Sequence, residues 1–289
     1  MTDSISSDPI ASAEVSAPSP TFTSIRILFL GDIVGEPGRR AVINSIAKLR
    51  EEHKIDFIIA NGENAAGGKG ITPKITIDLM RAGIAVVTLG DHVWDQREIP
   101  SYILTEPRLL RPHNWPVGTP GAGHVILETK KGKVAVVCAQ GRTFIQPALD
   151  NPFLTLPPLL EEIRKETQVI FVDFHAEATS EKVAIGWHLD GLVSAVAGTH
   201  THVQTADERI LPNGTAFITD AGMCGPRDSV IGSRIGTILQ RFENLMPARY
   251  EVADGPVLLC GVIVDIEIAT GKALHVERLR HLWEQEREE

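Results

Sequence analysis

The chain of 289 residues has little cysteine, a deficit of positive charge and no long apolar run. Its three cysteines, Cys138, Cys224 and Cys260, are scattered without C-x-x-C spacing, which excludes a disulfide framework and a zinc ribbon and fits a reducing compartment. Lys and Arg total 28 against 37 Asp and Glu, a net charge of −9 that argues against nonspecific binding to nucleic acid or anionic membranes. No apolar stretch approaches the roughly twenty residues needed to cross a bilayer, and no repeat of solenoid period occurs. The opening "MTDSISSDPIASAEVSAPSPTFTS" lacks a basic start and an unbroken apolar segment, so residues 1–24 read as a disordered tail rather than a signal peptide. The expectation is a cytoplasmic protein with one domain over residues 25–289. The glycine-rich "ANGENAAGGKG" is not a triphosphate loop, because Gly70 follows Lys69 where Ser or Thr is required.

What is present is alternation. From Ile25 short apolar runs ("IRILFL", "DFIIA", "AVVTL") alternate with amphipathic ones ("RRAVINSIAKLREEH", "TPKITIDLMRAG"), a βαβαβ pattern. Thr72 as N-cap, Pro73 in the first turn and Gly83 as stop bound the second helix. "HVILET" and "KVAVVCA" flank a hairpin turn, "QVIFVDF" and "LVSAVAG" bracket a helix over "SEKVAIGWHLDG", and further hairpins turn at Pro212–Gly214 and Thr270–Lys272. Hairpins mixed with helix-linked strands predict mixed sheets covered by helices on their outer faces.

Polar residues gather where apolar runs stop: Asp32 after "FLG", Glu63 and Asn64 after "IIANG", Asp91 and His92 after "VVTLG", His175 in "IFVDFHAE", and His200 and His202 in "AVAGTHTH". Ligands of open α/β sheets bind beyond the carboxyl ends of strands, and five such loops converging there predict a metal cluster. Alternation along an extended strand places the His200 and His202 imidazoles on one face, roughly 7 Å apart. Cys224 reads as a small buried filler, and His53, His113, His124, His188, His275 and His281 as structural.

The blocks "GD", "GDH" and "GTHTH" in that order resemble the calcineurin-like metallophosphoesterases. Val34 in place of the usual D-x-H histidine, "NGENAAGGKGIT" as the second block, "GRTF", "DFHAEATSEKVAIGWHLDG" and "TDAGMCGPRDSVIG" narrow the resemblance to the YmdB-like branch, over about Ile25 to Leu282. The resemblance implies an αββα sandwich of two mixed sheets flanked by helices, and hydrolysis of cyclic nucleotides, 2′,3′ and 3′,5′ both open. It implies two metal ions, iron or manganese, bridged by Glu63, with Asp32, Asn64 and His202 on one and Asp91, His175 and His200 on the other. A hydroxide between the ions would attack phosphorus, and His92 would be the proton donor to the leaving group. Asp91 departs from the Asn usual at its position. The expected partner is a small phosphodiester, with no membrane or stable nucleic-acid binding and with a homo-oligomer open. Two other readings stay open: a phosphomonoesterase acting on a nucleotide or phosphoprotein, and a regulatory RNA- or partner-binding protein that keeps the metals as structure.

Overall fold

A computed structural model describes residues 23–247 and 249–284. The tail expected over residues 1–24 lies outside these, except that Ser24 already opens the first strand. The chain runs through β1 (Ser24–Leu30), β2 (Asp32–Ile33), α1 (Gly35–Glu52), β3 (Phe57–Asn61), α2 (Pro73–Ala82), β4 (Val86–Thr88), α3 (Ile99–Tyr102) and β5 (Leu109–Leu110). It continues through β6 (His124–Thr129), β7 (Gly132–Gln140), α4 (Pro152–Ile163), β8 (Ile170–His175), α5 (Thr179–His188) and β9 (Ala195–Thr199). Last come β10 (Arg209–Ile210), β11 (Ala216–Ile218), β12 (Met223–Pro226), α6 (Ile235–Asn244), β13 (Val257–Glu267) and β14 (Ala273–Trp283).

The strands form two mixed sheets. One has the order β2-β12-β13-β1-β3-β4-β5 with β14 beside β13, the other β10-β11-β9-β8-β7-β6. Both faces of the central strands are buried, and alternation assigns each face its partner. Ile27 and Phe29 of β1 point to the second sheet while Leu28 and Leu30 point to α1 and α2. Val134 and Val136 of β7 point to the first sheet while Ala135 and Val137 point to α4 and α5. The two sheets meet at Phe29 and Phe171, whose ring centroids are 5.1 Å apart. The result is a helix–sheet–sheet–helix sandwich.

The local signals hold where they are strong. The Thr72 side chain accepts from the Ile75 amide at 3.3 Å, and Gly83 ends α2 at φ +117°, a left-handed conformation suited to glycine. The three expected hairpins form as β6–β7, β10–β11 and β13–β14. Cys224 is buried in β12, and burial pushes its thiol well above the ordinary range. Helices α3, α4 and α6 are additions to the sequence reading.

Candidate metal centre

Parallel strands β1, β3 and β4 of the first sheet and β7, β8 and β9 of the second end on the same side, and their following residues meet there. Glu63, Asp91, His175 and His200 each offer one ligand atom, all within 4.8 Å of one another. His175 is central: its Nε2 lies 3.1 Å from Glu63 Oε1, 3.0 Å from Asp91 Oδ1 and 3.0 Å from His200 Nδ1. His202 Nε2 lies 3.1 Å from Asn64 Oδ1, and Asp32 Oδ2 accepts from the His200 amide at 3.2 Å. All seven residues expected to hold metal thus stand at one edge of the sandwich, four in one tight cluster.

Two placements differ from the sequence reading. Asp32 belongs to the short strand β2, in register with Met223 of β12, instead of a loop after β1. His200 and His202 are not on a strand: β9 ends at Thr199, and the two histidines sit in the turn beyond it at φ +94° and +65°. Alternation therefore does not aim them. The turn does, and it directs His200 to His175 and His202 to Asn64.

Each imidazole is anchored through one nitrogen, leaving the other for the cluster. His175 Nδ1 donates to Thr199 Oγ1 at 2.9 Å, because that hydroxyl's proton goes to Asp173 Oδ1 at 2.7 Å. Asp173 in turn accepts from Asn61 Nδ2 at 2.9 Å and from the Thr88 hydroxyl. This fixes Nε2 of His175 as the inward nitrogen. His202 Nδ1 donates to the Ile231 carbonyl at 3.0 Å, and His200 Nε2 pairs with Glu177 Oε2 at 3.0 Å. His92 Nδ1 is tied to Asp95 Oδ2 at 3.0 Å, so its Nε2, 3.8 Å from Asp91 Oδ2, borders the cluster.

The donor set suits a cation. Asp32 Oδ1 and Glu63 Oε2 are buried with no hydrogen-bond partner among the described residues, a costly state for anionic oxygens unless a positive charge is beside them. Burial drives the Asp32 carboxyl well above its usual range. Glu63 and Asp91 feel the same burial, but the charge of His175 overrides it for Glu63, and hydrogen bonds from His175 and His200 override it for Asp91; both end below the usual carboxylate range. His175 is the counterpart: burial lowers it, yet Glu63, Asp91 and Asp32 raise it well above ordinary histidine. Several buried carboxylate oxygens facing one imidazole call for a compensating cation, and a metal ion supplies it. Oxygen and imidazole donors without thiolate suit a divalent metal ion. Gly90 supplies the room, since a Cβ there would overlap Glu63 Oε2 and the His175 ring.

Sequence reasoning passed over Glu177, Thr199, Asp173, Lys182 and Asp220. Asp173 had a signal, a carboxylate in the apolar run "IFVDF"; Lys182 had none. A cleft of about 260 Å³ opens beside His202, bounded by Arg227, Ser229, Ile231 and Arg280. A larger cavity, about 940 Å³ and lined by Arg50, Asp56, Arg108 and Lys131, lies at the opposite ends of the strands and takes no part in the cluster.

The comparisons agree with this geometry. Residues 28–279 match the family described as YmdB-like protein. The 2′,3′-cyclic-nucleotide 2′-phosphodiesterase of Bacillus subtilis is 52% identical over 255 residues, covering 88% of this chain and 96% of that protein. The crystal structure of a phosphatase from Mycoplasma pneumoniae superposes with a TM-score of 0.85 at 35% identity, covering 91% of this chain and 95% of the other. That of a hypothetical protein from Thermus thermophilus gives 0.83 at 41% identity, covering 90% and 100%. A match that spans both sheets and every strand-end loop of the cluster shows that the chain belongs to the YmdB-like family of calcineurin-like metallophosphoesterases.

Proposed function

We propose that this phosphoesterase hydrolyses 2′,3′-cyclic nucleotides with a pair of iron or manganese ions held by Asp32, Glu63, Asn64, Asp91, His175, His200 and His202, Glu63 lying between the two. The observation that carries the reading is the meeting of Glu63, Asp91, His175 and His200 around buried carboxylate oxygens that lack a partner. Such ions, when bound, acidify a water and neutralise charge on phosphoryl oxygens. The relative from B. subtilis acts, by its name, on the 2′ bond of 2′,3′-cyclic nucleotides, and its 52% identity over nearly its whole length supports the same substrate class here.

Breaking the P–O2′ bond expels an alkoxide that needs a proton. His92 is suited to give it: Asp95 anchors Nδ1, Asp91 stands 3.8 Å from Nε2, and the side chain is a quarter exposed. The cleft beside His202 offers space for the nucleoside, with Arg227 and Arg280 at its rim. The net charge of −9 favours a small substrate over a polynucleotide.

The test is turnover of manganese-loaded protein on 2′,3′-cyclic AMP, 3′,5′-cyclic AMP, bis-p-nitrophenyl phosphate and p-nitrophenyl phosphate, for wild type and His92→Ala. The expected result is diesters well ahead of the monoester, 2′,3′-cyclic AMP first, and a fall of roughly 10²–10⁴-fold in His92→Ala. Preference for the monoester would favour the phosphomonoesterase reading, and no turnover on any of them a regulatory protein.

A further inference from the structure

His200 and His202 flank Thr201, and both adopt left-handed backbone angles that non-glycine residues avoid. Such conformations persist only where surrounding groups over-determine them. Here those groups converge on Thr201. Its amide donates to Asp220 Oδ2 at 3.2 Å and its hydroxyl donates to the same oxygen at 2.6 Å. The hydroxyl also accepts from Lys182 Nζ at 2.9 Å, and Lys182 Nζ donates to Asp220 Oδ2 at 2.7 Å. Both charged side chains are 1% exposed.

A buried ion pair is a weak source of stability, because desolvation offsets most of its attraction. What this one has is direction. Among the described residues, every bond that Asp220 Oδ2 accepts comes from Thr201 or Lys182, and Asp220 Oδ1 is held by the Gly222 amide at 2.7 Å. Lys182 reaches Thr201 from the first turns of α5, passing beside Gly198, where a Cβ would stand 3.0 Å from its Cδ and overlap the Thr219 carbonyl. The helix after His175 is thereby linked to the turn that carries His200 and His202.

We infer that Lys182, Asp220 and Thr201 form a buried clamp that positions both histidines, so that the metal-binding geometry exists before an ion arrives. These are positioning residues: none is among the proposed ligands, and the inference rests on the metal-centre reading above. The clamp works through the Thr201 hydroxyl, so it should be lost in Thr201→Val and kept in Thr201→Ser, both of which leave Lys182 and Asp220 paired.

The experiment measures manganese(II) affinity by competition with a chelating indicator, hydrogen exchange at the Thr201 amide in metal-free protein, and KM and kcat for bis-p-nitrophenyl phosphate. His200→Ala is the control for the ligand assignment. Thr201→Val should weaken manganese binding about 10- to 100-fold. It should speed exchange at residue 201 and lower kcat at fixed manganese with KM within about twofold. Thr201→Ser should recover affinity to within about threefold. Manganese affinity in Thr201→Val equal to wild type, with His200→Ala impaired, would overturn the clamp and leave the metal centre standing. Equal affinity in all three proteins would overturn the metal centre itself.

Discussion

Gly90 links β4 to Asp91 and allows the tightest approach in the cluster. A Cβ built on it would fall inside 3.0 Å of Glu63 Oε2, His175 Cδ2 and His175 Nε2, three atoms that define the site. Neither neighbour can step aside: Glu63 is 1% exposed and His175 is fully buried, with Nδ1 tied through Thr199 to Asp173. Relief to an ordinary van der Waals distance requires the two side chains, or the β4 turn, to shift by about 1 Å, a displacement that costs on the order of 10²-fold in a reaction dependent on alignment. Overpacking a tight site costs about 1–3 kcal/mol of stability, or several degrees of melting temperature in a domain of this size. In Gly90→Ala we therefore expect manganese stoichiometry below that of wild type, about 10²-fold lower kcat on bis-p-nitrophenyl phosphate, and a modestly lower Tm. Gly236 in α6 has nothing within 4 Å of its would-be Cβ, so Gly236→Ala serves as a control expected to match wild type in activity. Metal content and kcat within threefold of wild type in Gly90→Ala would refute the crowding argument.

Three further outcomes follow from the same geometry. On the proposed assignment, Glu63→Gln should abolish activity more completely than Asn64→Ala, because loss of a charge shared by two ions would affect both while loss of a neutral ligand would affect one; equal losses with both metals retained, read by metal analysis, would contradict the shared position. Asp91 is held below the usual carboxylate range by His175 and His200 and is therefore anionic, so Asp91→Asn should bind manganese more weakly, while the acidic limb of its kcat/KM profile at saturating manganese should move to lower pH, the ions being stronger acids beside one negative charge fewer. A mutant limb at the same or higher pH counts against this. His113, pushed down to about 4 by burial and by the nearby His124 and Arg111, favours its neutral form in the fold, so its contribution is complete above pH 6.5 and is lost as pH falls from 6.5 toward 4. For this half-buried ring, discounted for solvent screening, the loss is about 1–2 kcal/mol, and urea midpoints measured against pH should fall less steeply in His113→Gln.

How far the sequence discloses the fold depends on whether a segment's signals are local. Helix α2 is legible to the residue because its cap, its first-turn proline and its left-handed stop are all short-range devices. Helix α4 is hidden by Pro157 and Pro158, which lie inside it and read as a break. Helix α6 carries a helical apolar stripe, Ile235, Ile238, Leu239 and Phe242, but buries no residue, so nothing among the described residues packs on the face that the pattern marks. The two-sheet architecture follows from apolar strands that need cover on both faces, yet their order does not. β1 lies between β3 and β13, and only the parallel and antiparallel registers of the folded chain show that.

The site divides along the same line. The residues proposed as ligands stand at strand ends in plain order because buried strands must stop before polar groups can gather, and that rule acts within a few residues. The aim of the ligands is non-local. His200 and His202 look like an alternating pair on a strand, but the strand stops at Thr199, and what turns the two rings is a lysine eighteen residues before His200 and an aspartate eighteen after His202. A histidine pair in sequence specifies donors; the buried charges around Thr201 specify where those donors point. Substitutions at such remote positions should therefore alter metal affinity while leaving every ligand in place.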